Sequence, residues 1–413
     1  MDSVAILHYA APPILGGVES TIARHARLLA RSGHQVHIIA GRGGMEGEGI
    51  TFHHLPLVDS RHPEILEIAA QLREGLVPPQ FAAVQERIAA QLRPIFRQAP
   101  VVIAHNVVTL HKNLPLTAAL HRLVREDAVR LIAWCHDFAW QDALYIPEMH
   151  AGFPWDLLRT PWEKTRYVVV STPRREKLAA LLRVPAKRIR VVPPGIDAAA
   201  FLKLEPLTRR LMAELSLLEA EPLMLLPARI TRRKNIELGV RITAALQKSH
   251  PDAALVVTGP PGPHNPANRA YLEELLALRD SLGARVHSLY QHGEDGAPLH
   301  IPDPVLADLY RLADLLLFPS LREGFGIPIL EAGLTRLPVF AADLPPIRES
   351  SAGHAAHLFD PRGDAEEIAR RIARFTEEDT AYRLRRRVLR HYRWEAILKE
   401  HLVPLIKEAS PHG

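Results

Sequence analysis

Short apolar runs of strand length recur along this chain, and each is followed by a stretch whose apolar residues return every three or four positions. Residues 3–10 read as a strand, 11–17 as a Pro/Gly loop and 18–32 as a helix with Gly33 just past its end. Residues 34–40 read as a second strand, so the chain opens with a βαβ unit of about 30 residues or more, which predicts a parallel sheet. A glycine-rich loop, 41–49, interrupts the alternation. Helical periodicity then covers 63–75, 80–98, 114–126 and 174–182, with strands predicted at 101–103, 131–135, 167–170 and 189–192. Pro193-Pro194-Gly195 breaks the pattern and marks a linker.

The alternation then restarts. Strands are predicted at 223–227, 254–258, 285–290, 315–318, 338–341 and 355–359, and helices at 235–248 and 268–282. Asp303 with Pro304 is expected to cap a helix running to Ala313, Asp364 and Glu367 have capping-box spacing for a helix to Phe375, and the remainder is helical. Two successive halves of this kind predict an α/β protein of two facing Rossmann-like, doubly wound domains, residues 1–194 and 195–391, with an interdomain cleft. Ligands of such sheets bind beyond the carboxyl ends of the strands, so residues just after strands are the candidates. His105, His136, Arg229, Gly259 and Glu323 all fall there.

Length and composition agree with this picture. A chain of 413 residues fits two domains of about 200 residues each, and 47% apolar with 23% charged residues is a globular balance. The net charge of +5 is mild and the charges are interleaved, which argues against a nucleic-acid binder and leaves acidic small molecules or an anionic membrane face as partners. The basic run 383–390 lies on a helical pattern and reads as a solvated helix face. A single cysteine, Cys135, excludes an intramolecular disulfide framework and a cysteine zinc site. The chain reaches a strand at once with no leader pattern, and no run approaches the roughly 18 apolar residues of a membrane span. The expectation is a cytoplasmic protein with room for peripheral membrane contact; oligomeric state is not legible.

The most informative stretch is Pro319-Ser320-Leu321-Arg322-Glu323-Gly324-Phe325-Gly326-Ile327-Pro328-Ile329-Leu330-Glu331-Ala332-Gly333. It reads as strand end, loop and helix. Pro328 is expected at the first helical position, leaving the amides of Phe325, Gly326 and Ile327 open at the positive end of the helix, where an anion would sit. Taken singly, Glu323 is a loop charge and Glu331 a solvated residue one turn into a helix. The string as a whole resembles the Glu-x7-Glu signature of family 4 retaining glycosyltransferases, including the Gly-Phe-Gly after the first Glu.

Three further places bear on that resemblance. Gly16-Gly17-Val18-Glu19 turns from the first strand into the first helix; alone it is turn chemistry, but it resembles the Gly-Gly-x-Glu turn of the family and would aim free amides into the cleft. Arg229 and Lys234 stand in a run with four positive charges in six residues, which reads either as a solvated loop or as fixed cations for a diphosphate leaving group. In the family, an Arg-x4-Lys pair at this place grips the donor pyrophosphate, and Arg232 and Arg233 have no such assignment. His136 ends a strand and reads as a core residue or as the family histidine beside the donor sugar, with His105 and Asn106 as the runner-up. The turn at Gly259 and the region 290–293 correspond to the family's border of the nucleotide base, although segment 294–302 is added here.

The resemblance implies a GT-B fold in which a terminal helical segment, about 392–413, packs back on the N-terminal acceptor domain, and the C-terminal domain holds a UDP-, GDP- or ADP-hexose donor such as UDP-glucose or GDP-mannose. It implies a retaining hexosyltransferase acting on a sugar, small anionic or lipid-linked acceptor. Arg229 and Lys234 would stabilise the departing diphosphate, the amides after Gly324 would fix phosphate or sugar hydroxyls, Glu331 would hold the ribose diol, and Glu323 would accept from the sugar ring. The chain has no Asp-x-Asp, so no metal and no further cofactor are expected. Alternatives are a GT-B epimerase or phosphorylase, or a non-catalytic nucleotide-sugar-binding subunit. A glycosidase using Glu323 and Glu331 would need carboxyls about 5 to 10 Å apart across a sugar, which a basic diphosphate cleft does not suit.

Overall fold

In a computed structural model, which describes residues 3–263, 265–354 and 356–410, the chain forms two compact units, Met1–Ile196 with Tyr392–Gly413 and Asp197–His391. His264 and Ala355, which the sequence reading places in a loop and at a strand start, lie outside the described residues, as do Pro411 to Gly413 of the terminal segment.

The first unit is built on seven strands: β1 (Ser3–Leu7), β2 (Gln35–Ala40), β3 (Ile50–His54), β4 (Val101–His105), β5 (Arg130–Cys135), β6 (Thr165–Val169) and β7 (Ile189–Val191). They pair in the order β3-β2-β1-β4-β5-β6-β7, every pair parallel. Every residue of β4 is buried, as a parallel strand covered on both faces requires, which is why its sequence is apolar up to the closing His105. In β1 the two-residue period divides the core. Ala5 and Leu7 pack toward the helices Gln80–Gln98 and Leu114–Arg125, while Val4 and Ile6 pack with the helix Gly17–Arg31.

That second layer is completed by the end of the chain. Trp394, Ile397, Leu402, Leu405 and Ile406 are buried in it. The Ile196 amide donates to the Tyr392 carbonyl at 2.6 Å. Gly195 is bare for the same reason: a Cβ there would stand 2.5 Å from the Trp394 ring.

The second unit repeats the plan with six strands: β8 (Leu223–Leu226), β9 (Ala254–Val257), β10 (Val286–Ser288), β11 (Leu315–Phe318), β12 (Val339–Ala342) and β13 (Ala356–Phe359). Their order is β10-β9-β8-β11-β12-β13, again all parallel. In both units the order reverses beside the first strand, between β1 and β4 and between β8 and β11, which opens a crevice at the carboxyl ends of those strands. The expected doubly wound α/β architecture is therefore present in each unit.

Four readings are corrected. β3 was not expected; only its first residue is fully buried, so the edge strand lacks an apolar run. Asp303 is the first residue of the helix Asp303–Leu312 and Pro302 its cap, although a carboxylate in the first turn still favours the helix dipole. Pro328 occupies the second position of the helix Ile327–Thr335, because Gly326 turns with φ of 95° and caps it one residue earlier. The second N–H of a helix also lacks an intrahelical partner, so proline is tolerated there. Finally, the basic run is not only a solvated face: on the helix Thr380–His391, Arg386 is 5% exposed and lies 3.6 Å from the buried Asp314 carboxylate, with Arg385 at 3.3 Å.

The terminal packing is testable. Ile397→Ala removes a fully buried side chain from the first unit's core and should lower stability by about 2–5 kcal/mol, read as a lower denaturant midpoint. A loss under about 0.5 kcal/mol, the range of surface changes, would show that this segment does not support the sheet.

Candidate functional site

In the second unit the loops after β8 and β11, its two central strands, are tied together by side chains. After β8 the backbone passes the exposed Arg229, makes a short 3-10 turn at Arg232–Lys234 and enters the helix Ile236–Gln247 through Asn235, which adopts φ of 52°. Lys234 Nζ lies 2.5 Å from Glu323 Oε1 in the loop after β11. Their side chains are only 11% and 8% exposed, so the pair is nearly desolvated. Arg233 Nη1 reaches the other carboxylate oxygen at 3.7 Å. The Asn235 amide donates to the Pro319 carbonyl at 3.0 Å and the Pro361 carbonyl at 2.8 Å, and the Leu321 N–H to the Arg233 carbonyl at 2.8 Å. Sequence reading placed Lys234 and Glu323 in one site without seeing that they hold each other.

The loop after Glu323 is open. Phe325 and Ile327 are exposed, and a Cβ on Gly324 would meet nothing within 4 Å. Gly326 has no such freedom, since its φ of 95° suits glycine and a Cβ would stand 2.7 Å from Ile347 Cδ1. The helix Ile327–Thr335 starts four residues after Glu323, whose carboxylate holds the buried Lys234, and its first amides suit an anion. Glu331, one turn in, accepts from the Tyr310 hydroxyl at 2.5 Å. Ser320 is 1% exposed, and its hydroxyl has no partner among the described residues. Neither Tyr310 nor Ser320 was singled out from sequence; Ser320 could have been, as a polar residue two positions past an apolar strand.

Gly259 has a packing reason. A Cβ there would stand 2.3 Å from the Ala228 carbonyl oxygen, so its absence lets the loop after β9 lie on the backbone leading to Arg229. The Ile230 N–H donates to the Pro260 carbonyl at 2.9 Å and fixes that approach. Arg232 turns away to Glu274, at 2.7 Å.

In the first unit Gly16 caps the helix Gly17–Arg31 in extended backbone, and Glu19 folds over it. The Glu19 carboxylate lies 3.9 Å from His8 Nε2, just beyond β1. His8 Nδ1 is 2.8 Å from the His105 carbonyl, and His105 Nδ1 is 3.1 Å from His136 Nε2. Asn106, at φ of 59°, accepts from the His136 N–H at 2.7 Å and the Asp137 N–H at 3.2 Å, which orients the turn after β5. His136 and its runner-up His105 are thus neighbours, joined by His8 and by His25, which sequence reading passed over. Burial is the main cause that lowers His8 and His136 to about 4 and His25 to about 3; the neighbouring His8 adds to the shift at His136, and His136 adds to it at His25. The cluster is neutral at pH 7. Among the described residues no group of three or more His, Cys, Asp or Glu could hold a metal ion, and no helix is long and apolar enough to cross a membrane.

A family model described as "Glycosyltransferase Family 4" matches residues 15–200, and one described as "Glycosyl transferases group 1" matches 208–391. A mannosylglucosylglycerate synthase of Thermotoga maritima is 24% identical over 81% of this chain and 79% of its own length. A D-inositol 3-phosphate glycosyltransferase of Nocardia farcinica is 28% identical over 80% and 70%. Among solved structures, a sucrose-phosphate synthase of Thermosynechococcus elongatus aligns over 99% of this chain and 100% of its own at 18% identity and a TM-score of 0.37.

The histidine cluster sets a pH dependence. These groups bind protons more weakly folded than unfolded, so their contribution to stability is complete above pH 6.5 and lost as pH falls toward 4. For His8 alone this is roughly 3 kcal/mol. Denaturant midpoints should fall between pH 7 and 4, and His8→Gln should flatten that slope. An unchanged slope would show that His8 protonates as easily folded as unfolded.

Proposed function

The chain belongs to the family 4 glycosyltransferases, and we propose that it moves a hexose from a nucleotide-diphosphate sugar to an acceptor hydroxyl, with retention and without a metal ion. The observation that carries this reading is the desolvated Lys234–Glu323 pair, 2.5 Å apart, beside the open amides that begin the helix Ile327–Thr335. A departing diphosphate gains charge in the transition state. A fixed cation and a helix N-terminus that need no reorganisation are the groups that stabilise such charge.

In this reading Lys234 and Arg229 hold the diphosphate, and Glu323 keeps the flexible lysine side chain in one place while accepting from the sugar ring. The amides of Phe325, Gly326 and Ile327 take phosphate or sugar hydroxyls. Glu331, oriented by the Tyr310 hydroxyl, takes the ribose diol. Gly259 borders the base, Gly16 and Gly17 offer amides to phosphate, and His136 faces the transferred sugar as a neutral donor. Residues 195–391 are the donor domain and the rest the acceptor domain. The names of the two relatives support a hexose as the group moved and a polyol acid or phosphate among acceptors.

Lys234→Ala should lower kcat/KM at least tenfold, about 1.4 kcal/mol of transition-state stabilisation. Glu331→Ala should raise the donor Kd, measured by calorimetry, and a chelator should leave wild-type turnover unchanged. Wild-type turnover and donor affinity in both folded variants would remove this site assignment.

A further inference from the structure

The loops that leave the carboxyl ends of β3, β4 and β5 enclose a cavity of about 180 Å³ in the first unit, none of whose lining residues belongs to the sites described above. Arg73 ends the helix Pro63–Arg73, His111 and Lys112 precede the helix Leu114–Arg125, and Glu148 and Trp155 come from the long connection between β5 and β6. Leu72, Leu114 and Trp155 are buried and supply an apolar floor. The cavity is smaller than the roughly 300–1,000 Å³ of drug-sized sites, so its occupant is compact.

Its charges are unbalanced. The one carboxylate on the lining, Glu148, is engaged by His111 Nε2 at 2.9 Å, and the His111 side chain is 9% exposed. Burial, and then the Lys112 charge, lower the His111 pKa, so the ring is neutral and donates its Nε2–H to Glu148. Lys112 Nζ stands 4.0 Å from the centre of the Tyr145 ring, and Arg73 acts on it as a like charge. Neither Arg73 nor Lys112 makes an ion pair within 4.0 Å among the described residues. Burial is the largest cause of a lowered Lys112 pKa, and the carboxylates of Glu148 and Asp142 do not offset it. Two cations brought to one small cavity with an apolar floor and one carboxylate are stabilised by an anion that also carries hydroxyls.

We propose that this cavity receives the acceptor, a compact polyol or sugar bearing one carboxylate or phosphate group, with Arg73 and Lys112 on the anion, Glu148 on a hydroxyl and Trp155 against the carbon skeleton. The inference rests on the glycosyl-transfer reading and narrows it: the acceptor is charged and water-soluble, and a long lipid chain is not held here.

The test uses the full chain. Glucuronate and glucose 6-phosphate are each compared with glucose, as acceptors with a donor shown to bind and as ligands in calorimetry. At least one charged probe should exceed glucose tenfold or more in kcat/KM or affinity; which one does so tells carboxylate from phosphate. Lys112→Met, which keeps the stem on Tyr145 and removes the charge, should raise the KM or Kd of that probe at least tenfold and abolish the preference, with kcat changed less. Donor binding with equal use of glucose and both charged probes, or a Lys112→Met variant with an unchanged charged-acceptor KM and Kd, would overturn the inference while leaving glycosyl transfer standing. Absence of binding by every nucleotide sugar would overturn that reading and this one together, even if the charged probes still bound.

Discussion

Burying a lysine beside a glutamate constrains the second unit more than any other contact at its candidate site. An unpaired charge at that depth costs several kcal/mol, and removing one partner of such a pair typically costs about 3–5 kcal/mol. Lys234 and Glu323, 89 residues apart in sequence, must therefore meet whenever the unit is folded. Meeting brings the loop after β8 onto the loop after β11, and the Asn235 amide then spans the Pro319 and Pro361 carbonyls. The start of the helix Ile327–Thr335 is held at the point where the strand order reverses. A lysine is a flexible point charge, and here its reach is spent before any ligand arrives. An anion entering beside it meets a cation and amides already in place, which is the condition for stabilising charge without reorganisation.

The first unit solves a related problem by the opposite means. Its strand ends carry His8, His105 and His136, with His25 packed behind, and burial keeps all four neutral even though the Glu19 and Asp137 carboxylates lie near His8 and His136. The His105–His136 contact also bears on tautomers. His105 Nε2 is buried with no partner among the described residues, and an orphaned acceptor is cheaper than an orphaned donor. His105 Nδ1–H therefore donates to His136 Nε2, which leaves His136 with its proton on Nδ1. Charge is supplied further out, by Arg73 and Lys112. One unit thus carries fixed charge in its central crevice, and the other a neutral donor set with cations at its loops.

Much of this was legible in sequence because parallel strands write themselves as apolar runs. β4 and β11 are buried throughout; the limits of β11 emerge from hydropathy alone, whereas β4 runs two residues past the expected 101–103 to the buried His105. The string 319–333 displayed its glycines, its proline and both glutamates, and the family resemblance placed Lys234 in the same site. What sequence withheld was pairing across distance. Nothing in the local pattern joins Lys234 to Glu323, Tyr310 to Glu331 or His8 to Glu19 and the His105 carbonyl, because side-chain contact is decided by tertiary packing. β3 escaped notice because an edge strand exposes one side. Arg386 reads as a surface charge because composition does not reveal the buried Asp314, 72 residues earlier in the chain.

The proposed glycosyl transfer requires that a nucleotide sugar be held at the loops after β8 and β11. Hydrogen exchange of the full chain with and without UDP-glucose, GDP-mannose and ADP-glucose, in the presence of a chelator, tests this most directly. With at least one of these donors, amides in 229–235 and 320–331 should exchange more slowly than in the free protein. Unchanged exchange in those two segments with all three, or protection confined to other parts of the chain, would contradict it.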